Sequence, residues 1–239
     1  MKILAIETSC DETAASVVQN GTKILSNVVA SSMAMHEKYG GIVPEVAARE
    51  QFKCIIPVIK EATPSLSEID AIAVTVGPGL IGSLLVGVET AKTIAFVTGK
   101  PIIPVNHVIA HMYANFVNGK KISFPAISLV VSGGHTELYL MKSTKDLTWL
   151  GGTLDDAAGE CFDKTARLLG FGHGGGLAIQ NAARKFSIQH SAFSIKLPRP
   201  MLDESYNFSF SGLKTAVMRE WKRQTYTSDV KEVRTSKVL

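Results

Sequence analysis

The sequence predicts a duplicated α/β chain of two lobes, and three observations predict it. Residues 2–8, 13–19 and 24–30 are three apolar or alternating runs separated by short turns, and helical spacing follows them. Residues 126–131, 136–141 and 147–151 repeat that plan, with helices again expected from Asp155 onward. Each copy carries a small polar first turn, SCDE in one and SGGH in the other. Two β-β-β-α units imply two packed layers twice over, with a cleft between the lobes.

The elements follow in order. Asn20-Gly21 is a hairpin signal between the second and third strands. HEKYGGIVPE is a glycine-rich loop, and its Pro44 suits the first turn of a helix over 45–60. Residues 71–76 read as a buried strand, 80–97 as a buried helix and 101–105 as a short strand. Asn106 then caps a helix over 107–116. The uncharged stretch 71–88 has membrane-like length, but Gly77-Pro78-Gly79 interrupts it, so strand, turn and helix explain it better. The expected domains are 1–118, 119–221 and a polar, basic tail over 222–239.

Composition narrows the class. With 239 residues, 46% of them hydrophobic, the chain has material for a large core and is not a disordered type. Its net charge is +4, and three of those four charges gather from Arg219 onward. A nucleic-acid contact must therefore use a local patch or a partner's surface. Cys10, Cys54 and Cys161 form no CxxC pair. That is the pattern of a reduced, cytoplasmic chain without a disulfide framework, and no secretory signal is visible.

Four segments carry candidate chemistry. In HVIAH, His107 and His111 stand one helical turn apart on one face, as metal ligands or as ordinary surface histidines. A zinc protease needs Glu after the first histidine, and here that position is Val108. In VSGGHTEL, the turn Ser132-Gly133-Gly134 is a phosphate cradle or a plain hairpin turn. In SCDET, Asp11 and Glu12 occupy the equivalent turn of the first lobe. They are candidate catalytic acids that contact a metal or a polar substrate group, or else solvated surface. In DDAAGECFDKTARLLGFGHGGG, Asp163 precedes a run of glycines, an arrangement for ribose hydroxyls or a simple helix cap.

Read together, ETSCDET, HEKYGGIVPEVAARE, VTVGPGLIGSLLVG, NHVIAH, LVVSGGHTEL, CFDKTARLLG and FSFSGLKT closely resemble the tRNA N6-adenosine threonylcarbamoyltransferases, over about residues 1–221. That family was formerly called O-sialoglycoprotein endopeptidases. The resemblance implies the actin/Hsp70/sugar-kinase (ASKHA) fold, with the second lobe incomplete. It implies transfer of a threonylcarbamoyl group from threonylcarbamoyl-AMP to N6 of the adenosine beside the tRNA anticodon, releasing AMP. It implies one divalent metal ion, iron ahead of zinc, on His107 and His111. Val130, Val131, Ser132, Gly133 and Gly134 would line the adenylate site, and Asp163 and Gly176 would bind its nucleoside. The implied partners are tRNA, an actin-fold paralogue and a small ATPase, with no membrane.

The chain departs from the family at several points. A GGVAAN-like segment and a late Asp, the family's third metal ligand, are not in this sequence. HGGGL at 173–177 stands where YPGGP is expected, and Gln180 stands where an acid is often found. On these grounds the chain reads as a fragment or frame-shifted product. The rival readings are a catalytically impaired copy acting as a partner-binding scaffold, an ATPase or sugar kinase of this fold, and a metalloprotease, which Val108 disfavours.

Overall fold

The computed structural model describes residues 1–171, 175–189 and 196–235. They form two compact units, Met1–Ser123 and Phe124–Leu239, so the boundary falls five residues beyond the expected one.

The first unit is built on a five-stranded sheet. β1 (Lys2–Glu7), β2 (Glu12–Gln19) and β3 (Lys23–Ser31) form an antiparallel meander. Asn20 and Gly21 take φ of 52° and 76°, the left-handed pair that a type I′ turn requires. After the short α1 (Met33–His36), α2 (Pro44–Ala62) starts with proline in its first turn. β4 (Ala71–Gly77) and β5 (Ile102–Asn106) run parallel to β1, giving the order β3-β2-β1-β4-β5. Between them lies α3 (Ile81–Thr98), which stops at Gly99 in the left-handed conformation. α4 (His107–Tyr113) leaves β5 directly.

Strand alternation decides where the core sits. Leu4, Ile6, Ala15, Val17, Ile72 and Val74 point to one face and are buried there under Ile55, Val58 and Ile59 of α2 and Ala91 of α3. Small residues let α3 press onto the sheet. A Cβ on Gly87 would collide with Thr8 Oγ1, whose hydroxyl donates to the Ser83 carbonyl at 2.8 Å.

The expectation that 80–97 is a buried helix needs correction. Ser83, Leu84, Gly87 and Ala91 are buried, but Phe96 is 89% exposed and Ile81 74%. α3 packs along one side only and presents an apolar flank. Among the described residues it is the one helix long and apolar enough to cross a membrane, by length and composition alone.

The second unit repeats the opening. β6 (Ala126–Val131), β7 (Thr136–Met141) and β8 (Leu147–Gly152) form a three-stranded antiparallel meander. α5 (Ala158–Leu168), α6 (Gly175–Gln189) and α7 (Ser211–Thr235) follow. The described residues supply no counterparts of β4 and β5 here, and Ile127, Leu129 and Val131 of β6 remain exposed. The expected tail boundary at residue 221 falls inside α7, which continues as helix to Thr235.

Candidate active site

Because β1, β4 and β5 are parallel, the segments that leave their carboxyl ends emerge along one edge of the sheet. Thr8–Asp11 leaves β1 and leads into β2 at Glu12, the Pro78–Leu80 turn leaves β4, and α4 leaves β5. The Asn106 side chain accepts from the Ile109 N–H at 3.1 Å and fixes the start of α4, as a cap residue should. His107 and His111 then meet edge to face, with Nε2 atoms 3.1 Å apart.

That separation suits one ion. Two ligand nitrogens about 2.0–2.1 Å from a metal, at roughly 90–110°, lie about 2.8–3.4 Å apart. The same separation is that of the hydrogen bond the two rings make to each other, so the pair offers two ligand nitrogens to a divalent metal once the shared proton leaves. Among the described residues, no group of three histidines, cysteines or acids is assembled that would complete the site.

The strand behind His107 supplies an unanticipated acid. Glu7 ends β1, and its Oε2 lies 3.4 Å from His107 Nδ1, beside Ser9 Oγ at 3.2 Å. Thr75 of β4 also donates to Glu7 Oε2. Burial pushes the Glu7 pKa up, but the bonds from His107, Ser9 and Thr75 outweigh it and hold the value at about 2, below its ordinary 4.5. A depressed carboxylate stabilises the fold fully above its unfolded pKa. The contribution is lost as pH falls from 4.5 toward 2. With solvent screening allowed for, about 1–2 kcal/mol should disappear across that window in urea melts, and Glu7→Gln should flatten the dependence.

Asp11 and Glu12 are held mainly by their backbone. The Asp11 carbonyl accepts from the Ser32 N–H at 3.0 Å and the Ser32 hydroxyl at 2.7 Å. Gln51 of α2, almost wholly buried, donates to the carbonyls of Cys10 at 3.0 Å and Glu12 at 2.9 Å. The loop is thus pinned from beneath, leaving Asp11 half-buried and Glu12 exposed. Burial, with Asp11 next to it, pushes the Cys10 thiol up to about 12, so it is not a nucleophile at neutral pH.

The second candidate patch lies in the second unit. Val131 pairs with Thr136, closing the Ser132–His135 turn. Ser132 Oγ accepts the Gly134 and His135 N–H groups at 3.3 and 3.0 Å, so those two donors are turned toward Ser132 rather than toward an anion. The faces of Gly133 and Gly134 are open, Val131 is exposed, and Val130 is buried beneath. The turn rests on α5: a Cβ on Gly159 would stand 2.5 Å from the Ser132 carbonyl oxygen.

Asp163 is exposed on α5, and the start of α6 sits directly on it, since a Cβ on Gly175 would collide with its backbone and carboxyl oxygen. Gly176 lies beside Phe162, where a Cβ would make ordinary van der Waals contact at 4.0 Å. Gly172, His173 and Gly174 of the glycine run lie outside the described residues.

Two further acids, quoted in the DDAAGE string but given no role, organise this unit. Asp155 accepts from the Ser209 and Ser211 hydroxyls at 2.6 and 2.7 Å and from the Phe210 and Ser211 N–H groups. It thereby caps α7, and burial opposes these bonds without preventing a strongly depressed pKa. Asp156 ties Lys164 and Lys214 together at 2.9 and 2.8 Å. Asp155→Ala should cost about 1–2 kcal/mol, the range for a lost helix cap. Circular dichroism melts of the variant measure it. Sequence spacing gave no hint, because the partners are 54–56 residues away.

The repeated β-β-β-α plan, with the 3-2-1-4-5 strand order of the first unit, places the chain in the actin/Hsp70/sugar-kinase fold class. Solved structures similar to it include YeaZ from Pseudomonas aeruginosa, 17% identical, covering 62% of this chain and 63% of that one at a TM-score of 0.39. Component A of (R)-2-hydroxyglutaryl-CoA dehydratase from Acidaminococcus fermentans is 12% identical over 94% of this chain and 69% of that one, at 0.49.

The chain belongs to the tRNA N6-adenosine threonylcarbamoyltransferase family, whose model matches residues 23–237. The tRNA N6-adenosine threonylcarbamoyltransferase of Persephonella marina is 52% identical over 237 residues, covering 96% of this chain and 67% of the relative. That of Thermomicrobium roseum is 56% identical over 229 residues, covering 92% and 62%. The chain spans about two thirds of the length of these relatives. The match also runs through residues 222–237, the stretch read from sequence as a tail without family likeness.

Proposed function

We propose that the chain serves threonylcarbamoyl transfer to tRNA in the cytosol. The acceptor is N6 of the adenosine beside the anticodon, and the donor is threonylcarbamoyl-AMP. Family membership gives the reaction class. The single structural observation that carries the reading is the His107–His111 pair, with its nitrogens spaced for one ion.

In this reading His107 and His111 hold a divalent metal, iron or zinc. When bound, the metal supplies polarisation of an oxygen near the reacting carbon or anchors the donor. Val131 and the open faces of Gly133 and Gly134 take the donor's phosphate side, over buried Val130. Ser132 keeps the turn in shape through its hydroxyl. Asp163, with α6 beginning at Gly175 and Gly176 beside it, takes ribose hydroxyls. The adenosine amine attacks the carbamoyl carbon, the carbon–oxygen bond to phosphate breaks, and AMP departs with the electron pair. Asp11 or the exposed Glu12 takes up the proton the amine loses. The base must be presented unpaired, as in an RNA loop.

A second reading has one observation in its favour. The described residues assemble no third metal ligand. In that case the chain binds its partner subunits without turnover. A protease is disfavoured, because the position its general base would need is Val108, which is buried.

The deciding experiment combines the chain with the actin-fold paralogue, the small ATPase, threonylcarbamoyl-AMP and tRNA. Mass spectrometry of the digested tRNA should reveal threonylcarbamoyladenosine. If partners bind and no modified nucleoside forms, the second reading holds. If neither occurs, both fail.

A further inference from the structure

We propose that Glu7 is the positioning residue of His107. It fixes the imidazole as the Nδ1–H tautomer and turns Nε2 toward His111, with Ser9 as a second acceptor. The consequence for metal binding rests on the role proposed above for the two histidines; the tautomer itself rests only on the geometry around β1.

Both Glu7 oxygens are tied down. Oε1 accepts the Ser9 N–H at 2.5 Å, and Oε2 accepts the Thr75 hydroxyl from the neighbouring strand. Held this way, the carboxylate cannot swing off, and Oε2 stays 3.4 Å from His107 Nδ1. A carboxylate has no hydrogen to give, so the hydrogen in this contact must come from the ring. The Ser9 hydroxyl, 3.2 Å from the same nitrogen, is a second oxygen on that side. With Nδ1 protonated, the neutral ring keeps its lone pair on Nε2, the atom 3.1 Å from His111 Nε2.

The opposite tautomer is disfavoured by the Glu7 contact, whereas the Ser9 hydroxyl can donate to an unprotonated Nδ1 as readily as accept from a protonated one. That tautomer would set a ring lone pair against a carboxylate oxygen at 3.4 Å, in a site where His107 is only 20% exposed. Glu7 sits at the end of β1 and His107 at the start of α4, 100 residues later, so parallel β1, β4 and β5 bring them together. An imidazole fixed in tautomer and orientation before binding keeps a ligand basic and correctly aimed, the task of an outer partner in a metal site.

The test uses the whole chain, first free of metal. Histidine ring 15N–1H correlation spectra at about pH 8, well above the ordinary histidine range, report the tautomer directly. Wild type should show His107 protonated at Nδ1. Glu7→Gln, whose amide can donate as well as accept, should show a mixture. Co2+ then serves as the probe, through its visible absorption and chelator competition. Glu7→Gln should bind it about 10–100-fold more weakly, with Ser9→Ala affected less.

A purely structural Glu7 would lower the melting temperature and leave tautomer and Co2+ spectrum alone, and that result overturns the proposal. So does a wild-type ring protonated at Nε2, which can be read even where Glu7→Gln fails to fold. Wild type that holds the Nδ1–H form and binds no Co2+ supports this assignment while defeating the metal reading, so the two fail separately.

Discussion

His107→Ala and His111→Ala are each expected to abolish tight binding of a divalent ion and to depress tRNA modification by more than about 100-fold, the upper end for losing even an outer partner of a metal site. On the proposed metal role the two rings, with Nε2 atoms 3.1 Å apart, hold one ion, so either alone is a single weak ligand. The double variant should therefore be no worse than either single one, because residues acting as a unit are strongly non-additive. Metal content of the purified chain and rates with partner subunits present measure both effects. Folding should survive, since His111 is exposed and His107 half-buried at the edge of the sheet. A variant that keeps its metal and its rate removes the histidine pair from the mechanism.

Gly159→Val is expected to cost about 3 kcal/mol or more, the upper range for forcing a side chain into filled space. The first added carbon would stand 2.5 Å from the Ser132 carbonyl oxygen and 2.9 Å from the Gly133 Cα. These are backbone atoms, so no rotamer change relieves the overlap. The Gly159 N–H also donates to that carbonyl at 3.1 Å, and the displacement would break the bond. The Ser132–His135 turn must then lift away from α5. Adenylate affinity, read by calorimetry with AMP as probe, should fall with stability, and Gly159→Ala should be intermediate. Urea denaturation supplies the stability change. A variant with wild-type stability and AMP affinity would show that the turn neither rests on α5 nor contributes to binding.

The two candidate patches were legible in unequal parts. The histidine spacing, the Asn106 cap and the Ser132 turn depend on neighbours within a few residues, and the sequence exposes them directly. Glu7 was not legible as a site residue. It closes an apolar strand, and its partners Thr75 and His107 lie 68 and 100 residues away. Gln51 and Asp155 escaped for the same reason: each holds a loop or helix start from a distant element. Gly159 was unremarked in a helix, and Gly175 stood out only as part of a glycine run. Only the packing turns them into close-approach points.

The sequence by itself determined the strands, the turns and the repeated β-β-β-α plan, because side-chain alternation and turn chemistry act over a few residues. It also determined that His107 and His111 share a helix face. Tertiary structure alone decided that α3 buries one side, that α7 runs on through residue 221, and that Glu7 stands behind His107. Those outcomes depend on which elements become neighbours when β4 and β5 join β1 in parallel, and no local pattern in the chain encodes that adjacency.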